Sequence, residues 1–390
     1  MSRYHSYLNS AKTILAIYKG EEPFSSYLKK KFAENKKYGS KDRKQISHLC
    51  YCFFRLGKMA MNIPAEERIM AGLFLCSDRS NDILENIRPE WNEKVSLSIE
   101  KKIALLGPSF LLADVFPWKE SIGDEIDYQK FSESFLVQPD LFIRLRPGKE
   151  DKVLQQLNDN NIPFKAIGKT CIAFPNATKI DEVVEADKEA VIQDYKSQQT
   201  LEAVKEELVK LNKSFSVWDS CAASGGKSIL AKDILPDFDL TVSDIRESIL
   251  SNLEKRFARA GIIRYKSFVA DLSKPFTGNN YGPFDLVIAD VPCSGSGTWG
   301  RTPEQICYFD ESMIDKYASL QKKIISNVIP YIKPGGFLLY ITCSVFKKEN
   351  EEAVAFVKEQ FNFEVMTQKL LAGYDMKADT LFTALLKKQS

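Results

Sequence analysis

The strongest constraint on the fold is the regular alternation of short apolar runs and amphipathic segments from residue 196 to residue 390. Runs such as 284–289 and 337–341 are mostly apolar, as expected of strands buried on both faces, and the segments between the runs have helical spacing. Strands that alternate with helices form mostly parallel sheets with right-handed crossovers. The sequence therefore predicts an α/β domain with a doubly wound parallel sheet at 196–390.

The residues before this domain follow other patterns. Residues 1–130 have apolar side chains at three- and four-residue spacings, which predicts a small all-α domain. Residues 135–195 mix short alternating runs with one helical segment and predict a small α+β module. The helices predicted in the first part lie at 10–18, 24–32, 42–56, 65–76, 91–106 and 109–115.

Composition excludes several classes of protein. The chain is 44% apolar and 27% charged with a net charge of +2, as in ordinary soluble proteins. It has neither a signal-peptide core nor an apolar run near the roughly 20 residues of a membrane span. Its eight cysteines form no CxxC pair and it has two histidines, which argues against a structural zinc site. We expect a cytoplasmic protein with free thiols, no metal and no membrane partner.

One basic segment contrasts with this neutral balance. Between Lys29 and Lys44 the sequence contains eight lysines and arginines and two acidic residues, which gives a local charge of +6. Such a segment is either a solvated helix end and loop or a surface that contacts phosphates. The sequence leaves both readings open.

A glycine-rich segment, Cys221–Lys227, follows the predicted strand at 215–219. Small residues there let the backbone approach a ligand closely, and the next helix offers N–H donors for a carboxylate or phosphate. The residues 225–228 resemble the end of a nucleotide-binding P-loop, but that motif needs a glycine where Cys221 stands. Asp244 ends the next strand, where an acid binds a ribose diol or caps a helix. Asp271 ends the third strand, where an acid can reach the exocyclic amine of adenine.

Two further segments place thiols after strands. Cys293 lies in the segment Asp290–Gly297, and Cys343 follows the strand at 337–341. Polar groups at the ends of neighbouring parallel strands face a ligand crevice, so the two thiols form a candidate reaction centre. A disulfide, a metal site and simple burial are the other readings.

Covalent catalysis on a pyrimidine ring uses such a pair well. A thiolate that adds to C6 turns C5 into a nucleophile toward a methyl sulfonium, and a second group assists loss of the C5 proton and release of the thiol. A nearby lysine such as Lys227 favours the thiolate. Asp290 has the chemistry to bond the N3/N4 edge of cytosine.

The three segments together carry a family resemblance. Cys-Ala-Ala-Ser-Gly-Gly-Lys at 221–227, Asp-Val-Pro-Cys-Ser-Gly-Ser-Gly at 290–297 and Thr-Cys-Ser at 342–344, with Glu-Asn-Glu at 349–351, resemble the signatures of RNA (cytosine-5) methyltransferases of the RsmB/Fmu/Sun and NOL1/NOP2 (NSUN) type. The match covers 196–390. More weakly, 1–130 is similar to the NusB-like RNA-binding domain of bacterial members, and 135–195 to their small module.

The resemblance implies a Rossmann-like, S-adenosyl-L-methionine-dependent methyltransferase that acts on C5 of a cytosine in RNA, 16S ribosomal RNA, as a monomer. Cys343 would be the nucleophile, Cys293 would assist release, and Asp290 and Lys227 would complete the catalytic set. The cofactor would be held by Cys221, Ala222, Ala223, Ser224, Gly225, Gly226, Lys227, Asp244, Asp271 and Asp290.

Three positions depart from the family pattern, and three alternatives stay open. Ser224 stands where proline is usual, Ile249 where arginine is common, and Gly300 in place of one member of a basic pair. The alternatives are a swap in which Cys293 attacks, a catalytically inactive RNA-binding scaffold, and a P-loop-like nucleotide-binding protein.

Overall fold

The chain forms two compact units in a computed structural model that describes residues 2–35, 37–208, 214–277 and 281–389. One unit comprises residues 1–122, 126–138 and 298–311, and the other comprises 123–125, 139–297 and 312–390. Most of the predicted module at 135–195 and of the predicted domain at 196–390 therefore lies in one unit, while residues 135–138 and 298–311 belong to the other. The division of the chain into domains at 1–130, 135–195 and 196–390 stays a prediction.

The helices alternate with strands in the second unit and dominate the first. In chain order they are α1 (Arg3–Ile17), α2 (Phe24–Glu34), α3 (Ser40–Arg55), α4 (Ala65–Cys76), α5 (Asp82–Ile87), α6 (Pro89–Asn92), α7 (Ile99–Leu106), α8 (Tyr128–Ser134), α9 (Glu150–Asp159), α10 (Glu202–Leu208), α11 (Gly226–Ile234), α12 (Glu247–Ala260), α13 (Glu304–Tyr308), α14 (Ser312–Val328) and α15 (Glu351–Phe361). No helix in the described ranges is both long and apolar enough to cross a membrane.

The helical unit confirms the predicted α2, α3 and α4 and corrects other elements. The single helix predicted at 91–106 is wrong, because the chain turns between α6 and α7. The side chain of Asn92 accepts the N–H of Asn81 there, and Val95 is buried in the core. The segment predicted as a helix at 109–115 holds only a 3-10 turn at Leu112–Asp114.

The spacing of apolar residues did not predict two short helices of this unit. α5 and α8 are six and seven residues long, too short for a clear apolar repeat. Each begins at a capping side chain, Asn81 for α5 and Asp127 for α8, that accepts a backbone N–H three residues on. The caps were the local signal for both helices.

Residues 298–311 complete the core of the helical unit although they follow a strand of the other unit. The buried Glu304 carboxylate accepts the N–H of Phe24, the first residue of α2, at 3.0 Å. Lys58 donates to the carbonyl of Cys307 at 2.8 Å. Ile306 is fully buried. This helical segment, α13, was not predicted.

The second unit contains two sheets. Its strands are β1 (Leu141–Leu145), β2 (Lys165–Ile167), β3 (Cys171–Phe174), β4 (Ala190–Ile192), β5 (Phe215–Asp219), β6 (Phe238–Asp244), β7 (Lys266–Val269), β8 (Phe284–Asp290), β9 (Ile332–Thr342), β10 (Phe363–Leu371) and β11 (Leu381–Lys388). The smaller sheet has the order β2-β3-β1-β4 with antiparallel pairs. The larger has the order β10-β11-β9-β8-β5-β6-β7.

The larger sheet is Rossmann-like, and the predicted α/β architecture is confirmed. β5 pairs in parallel with β6 and β8, β7 pairs with β6, and β9 pairs with β8, while β11 runs antiparallel to its neighbours. The strand order reverses between β5 and β8, which creates a crevice beyond the carboxyl ends of these strands. β5, β6, β8 and β9 all end there with polar residues or lead into the cysteine segments.

Several boundaries in this unit differ from prediction. The spacing of apolar residues predicts a helix over 198–211. The structure has a 3-10 turn at Ser197–Gln199 followed by α10, and residues 209–211 lie outside the described residues. β9 begins at Ile332, so Pro334–Gly336 lies inside the strand rather than before it. The pairing with β8 shifts register opposite this stretch, which accommodates the proline.

Candidate active site

The glycine-rich turn between β5 and α11 leaves open space over the start of the helix. Gly225 has a φ of +85°, and a Cβ there would lie 2.6 Å from the ring of Phe257, so only glycine fits. A Cβ on Gly226 would meet no described atom within 4 Å. The first N–H groups of α11 therefore border an accessible region that suits an anionic group.

Asp244, the last residue of β6, braces this turn. Its carboxylate accepts the backbone N–H groups of Ala223 and Arg246, each at 3.0 Å. Ala223 has a φ of +45°, a conformation that few residues other than glycine adopt, and the bond to Asp244 helps to hold it. A carboxylate has about four acceptor positions, so Asp244 keeps capacity for a ligand hydroxyl.

Asp271, predicted to contact adenine, is bonded within its own turn. Its carboxylate accepts the N–H of Ser273 at 3.1 Å and the hydroxyl of the same residue at 2.5 Å, and it pairs with Lys274 at 2.9 Å. The hydrogen bonds from Ser273 lower the pKa of Asp271, so this carboxyl stays ionised. These bonds fix its place after β7.

Asp219, the last residue of β5, is a buried acid that the sequence analysis did not select. Its Oδ2 accepts the hydroxyl of Ser228 at 2.6 Å, while its buried Oδ1 has no hydrogen-bond partner among the described residues. Burial, as the largest cause, raises the pKa of Asp219 to about 7. An acid directly after an apolar strand was the available signal.

The structure brings the two predicted thiols into contact. β8 and β9 are parallel neighbours, with Asp290 opposite Ile341, and the segments that follow them converge. The Sγ atoms of Cys293 and Cys343 lie 3.2 Å apart. The hydrogen bond with Cys343 and then burial raise the pKa of Cys293 well above its ordinary value. Cys293 therefore holds its proton at neutral pH.

An ion pair joins the glycine-rich turn to the thiol segments. Nζ of Lys227 lies 2.8 Å from Oδ2 of Asp290, with both side chains largely shielded from solvent. Burial acts to lower the pKa of Lys227, but the charge and hydrogen bond of Asp290, with a further contribution from Cys343, raise it overall. Lys227 is thus a permanent cation close enough to Cys343 to interact with its charge.

A buried polar network fixes the two thiol segments from behind. The Glu349 carboxylate accepts the N–H of Ser294 at 2.8 Å, the hydroxyl of Ser344 at 2.8 Å and the amide of Gln321 at 2.9 Å. Ser294 and Ser344 directly follow the two cysteines. In the sequence, the Glu-Asn-Glu segment is visible only as part of a signature, and its pattern indicates no role for Glu349.

Cys221, which the sequence places in the same turn as Lys227, has a different character. Burial is the largest cause that raises the pKa of Cys221 far above its ordinary value, and nearby acids, first Asp219, act in the same direction. Its thiol therefore stays neutral and lines the turn as a small apolar group.

The basic segment divides into paired and unpaired parts. Lys30 pairs with Glu22 at 2.8 Å and Lys31 with Glu34 at 2.9 Å. Lys41 and Lys44 form no ion pair with a described residue, and they line a cleft of about 700 Å³ in the helical unit, together with Arg3, Tyr4, Tyr7 and Arg79. Lys36 lies outside the described residues.

Comparison of the sequence with models of known protein families identifies the family to which the chain belongs. The family model for the 16S rRNA methyltransferase RsmB/F matches residues 178–385, more than half of the chain. The chain belongs to the RsmB/F family. The match contains the glycine-rich turn, both thiols, the Lys227–Asp290 pair and the Glu349 network.

Individual relatives agree with this assignment. Ribosomal RNA small subunit methyltransferase B of Enterobacter sp. (strain 638) is 33% identical over 152 residues, which is 39% of this chain and 35% of the relative. The protein of that name from Xanthomonas campestris is 28% identical over 221 residues, 53% of this chain and 49% of the relative. In these alignments the chain spans about a third to a half of the relatives' length.

Solved structures share the fold. The crystal structure of PH0851 has a TM-score of 0.68 at 20% identity and covers 99% of this chain and 98% of its own. NSun6 from Pyrococcus horikoshii, solved with SFG, has a TM-score of 0.56 at 15% identity and covers 68% of this chain and 94% of its own.

The departures from the RsmB/F pattern have structural counterparts. The Ser224 hydroxyl, at a position where proline is usual, accepts a hydrogen bond from Arg256 at 3.0 Å, so a side-chain contact secures the turn. Near Ile249, Arg246 reaches Asp244 at 3.4 Å. Gly300 belongs to the helical unit.

Proposed function

We propose that this protein methylates C5 of a cytosine in RNA, in 16S ribosomal RNA, through a covalent adduct between Cys343 and C6. The observation that carries the proposal is the contact of two thiols at 3.2 Å beside the Lys227–Asp290 ion pair. A pair of thiols with unequal surroundings suits a reaction that needs one nucleophile and one proton-bearing partner.

The methyl donor is S-adenosyl-L-methionine, which supplies an electrophilic methyl group on its sulfonium. The residues at the turn suit this ligand. The open N-terminus of α11 suits the carboxylate of its methionine part, and Asp244 suits a ribose diol. Asp271 and the segment from Cys221 to Lys227 complete the proposed binding surface.

The chain's own residues then divide the work. The Cys343 thiolate adds to C6, which makes C5 nucleophilic toward the methyl group. Asp290 hydrogen-bonds the base edge, and Lys227 offsets the negative charge that the thiolate brings into a partly buried site. After methyl transfer the C5 proton passes to solvent water, its bonding electrons restore the C5–C6 double bond and expel Cys343 as a thiolate, and Cys293 assists this release.

Unequal electrostatics favour Cys343 over Cys293 as the nucleophile. Cys343 interacts with the cation Lys227, whereas Cys293 lies near the buried Glu349 and keeps its proton. A cation stabilises the negative charge on an attacking sulfur, and a carboxylate opposes it.

Two alanine variants test the assignment. Cys293→Ala, incubated with unmethylated 16S ribosomal RNA and S-adenosyl-L-methionine, should accumulate a protein–RNA adduct that survives denaturing electrophoresis. Cys343→Ala should form no adduct. The reverse outcome would assign the attack to Cys293. If wild type also fails to transfer a labelled methyl group to any RNA, the protein is an inactive scaffold and the proposed function is wrong.

We further propose that residues 1–130 form a NusB-like RNA-binding domain, that 135–195 and 196–390 are a small module and the methyltransferase domain, and that the protein acts as a cytoplasmic monomer. The unpaired Lys41 and Lys44 support an RNA contact on the helical unit. Lys41→Glu/Lys44→Glu should weaken RNA binding and flatten its salt dependence, since each lost phosphate contact lowers the slope by about one. Lys30→Glu/Lys31→Glu, in paired positions, is the control.

A further inference from the structure

We infer that Glu349 is a positioning residue of the reaction: its carboxylate bridges the two thiol segments and places a negative charge in the buried surroundings of Cys293. The inference rests on the proposed roles of Cys293 and Cys343 and deepens them. Cys293 and Cys343 have the same side chain but different proposed roles, and their surroundings in the fold differ.

The first part of the inference is geometric. Oε2 of Glu349 accepts the backbone N–H of Ser294, and Oε1 accepts the hydroxyl of Ser344. One carboxylate thus bonds the residue after each cysteine. Without it, these two bridging bonds would be lost, and direct bonds such as that from the Gly297 N–H to the Cys343 carbonyl, at 2.9 Å, would remain.

Further contacts make Glu349 a rigid anchor. Gln321 of α14 donates both to Oε2 of Glu349 at 2.9 Å and to the carbonyl of Pro292 at 3.1 Å. The hydroxyl of Tyr340 donates to the Glu349 backbone carbonyl at 2.5 Å. Glu349, Gln321 and Tyr340 are fully or almost fully buried. A buried network that is satisfied throughout holds one geometry.

The second part is electrostatic. No cation among the described residues forms an ion pair with Glu349, so its charge rests on three hydrogen-bond donors alone. Burial is the largest cause that raises the pKa of Glu349, and the donors oppose it. The Glu349 charge also contributes, after Cys343 and burial, to the raised pKa of Cys293. The carboxylate therefore opposes ionisation of Cys293.

Two substitutions separate geometry from charge. Glu349→Gln keeps the shape: its carbonyl can accept from Ser294 and Gln321, and its amide can donate to the Ser344 hydroxyl. Glu349→Ala removes both the bonds and the charge. Glu352→Ala is the matched control, because Glu352 is an exposed carboxylate on the neighbouring helix.

Reactions of the two thiols in the free protein, without RNA or methyl donor, measure both their proximity and the effect of the Glu349 charge. Diamide oxidises two adjacent thiols to a disulfide and is itself reduced to a hydrazine, so the rate of Cys293–Cys343 bond formation reports their proximity. Glu349→Ala should slow it about tenfold or more, since displacements near 1 Å have large effects on such reactions. Glu349→Gln and Glu352→Ala should keep the wild-type rate.

Alkylation by iodoacetamide, resolved for each cysteine by peptide mass spectrometry across pH, reads out the charge. In Glu349→Gln the profile of Cys293 should move to lower pH, with a rate at pH 8 about threefold higher, which corresponds to half a pKa unit. Cys343, Tyr317 and Tyr340 are titratable groups that also interact with Cys293, and they are unchanged in this variant.

Either of two results would overturn the inference. The first is a wild-type rate of disulfide formation in folded Glu349→Ala. The second is an unchanged Cys293 profile in Glu349→Gln, which decides the matter even if the alanine variant does not fold. Because both measurements use the free protein, they are independent of whether the protein methylates RNA.

Discussion

The buried Asp219 carboxyl makes the stability of the larger unit depend on pH in a predictable way. Burial raises its pKa from the ordinary value of 3.8 to about 7. Each pKa unit corresponds to about 1.4 kcal/mol, so the ionised form in the fold is less stable by about 4 kcal/mol than its hydrogen-bonded neutral form. Asp219→Asn removes this titration while keeping the shape of the side chain.

The sign of the effect follows from proton binding. Between about pH 4 and pH 7 the folded protein holds a proton on Asp219 that the unfolded chain has lost. The contribution of this proton to the free energy of unfolding is therefore largest below pH 4. It decreases as the pH rises to 7 and does not change further above that pH. The wild type should lose about 4 kcal/mol relative to Asp219→Asn between pH 4 and pH 8.

Hydrogen exchange measures this difference locally. Exchange of peptides from β5, followed by mass spectrometry at increasing urea concentrations and several pH values, gives the free energy of unfolding around Asp219. Asp239→Asn is the control, because Asp239 is an exposed carboxylate on the adjacent strand β6. A difference between wild type and Asp219→Asn that does not change with pH would refute the reasoning.

Two further predictions concern packing. Gly297→Ala would place a Cβ 1.9 Å from the carbonyl oxygen of Thr380, so the backbone must shift. We expect the melting temperature, measured by calorimetry, to fall by several degrees. We also expect the protein–RNA adduct, followed by denaturing electrophoresis, to form more slowly. Asp233 pairs at 2.6 Å with Arg144 and at 2.7 Å with Arg146, both largely buried. Asp233→Asn should cost about 3 kcal/mol in urea unfolding, because it leaves two buried cations without their partner; an effect below about 1 kcal/mol would contradict this.

The sheet was predictable because its strands and helices are long enough to carry a period. α4 and β5 have the bounds that the sequence predicts. The helices that were not predicted, such as α5 and α8, are short, and their formation depends on a single capping side chain and on tertiary contacts. The position of α13 in the helical unit depends on contacts between residues far apart in sequence, which local patterns do not report.

The site was predictable where each residue follows its own strand. Cys293, Cys343 and Asp290 stand at strand ends, and parallel pairing of β8 and β9 brings them together. Glu349 was missed because its importance comes from three partners on three segments. The order Asp-Leu-Ser-Lys after β7 was a visible sign that Asp271 would be bonded in its own turn.

The return of residues 298–311 to the helical unit has a consequence for synthesis of the protein. The N–H of Phe24 at the start of α2 has its hydrogen-bond acceptor only after Glu304 has been synthesised. The helical core likewise lacks the side chain of Ile306 until that residue has been added. The ribosome must therefore add the whole stretch from 139 to 297 before the first unit has all of its parts.

At translation rates of about 5–20 residues per second, that delay is on the order of ten seconds or more. During it the nascent helices keep an uncovered apolar surface, and a fragment that ends at residue 138 keeps it permanently. Completion of the helical unit thus depends on residues that are synthesised after most of the other unit, so the first unit to be started is not the first to be completed.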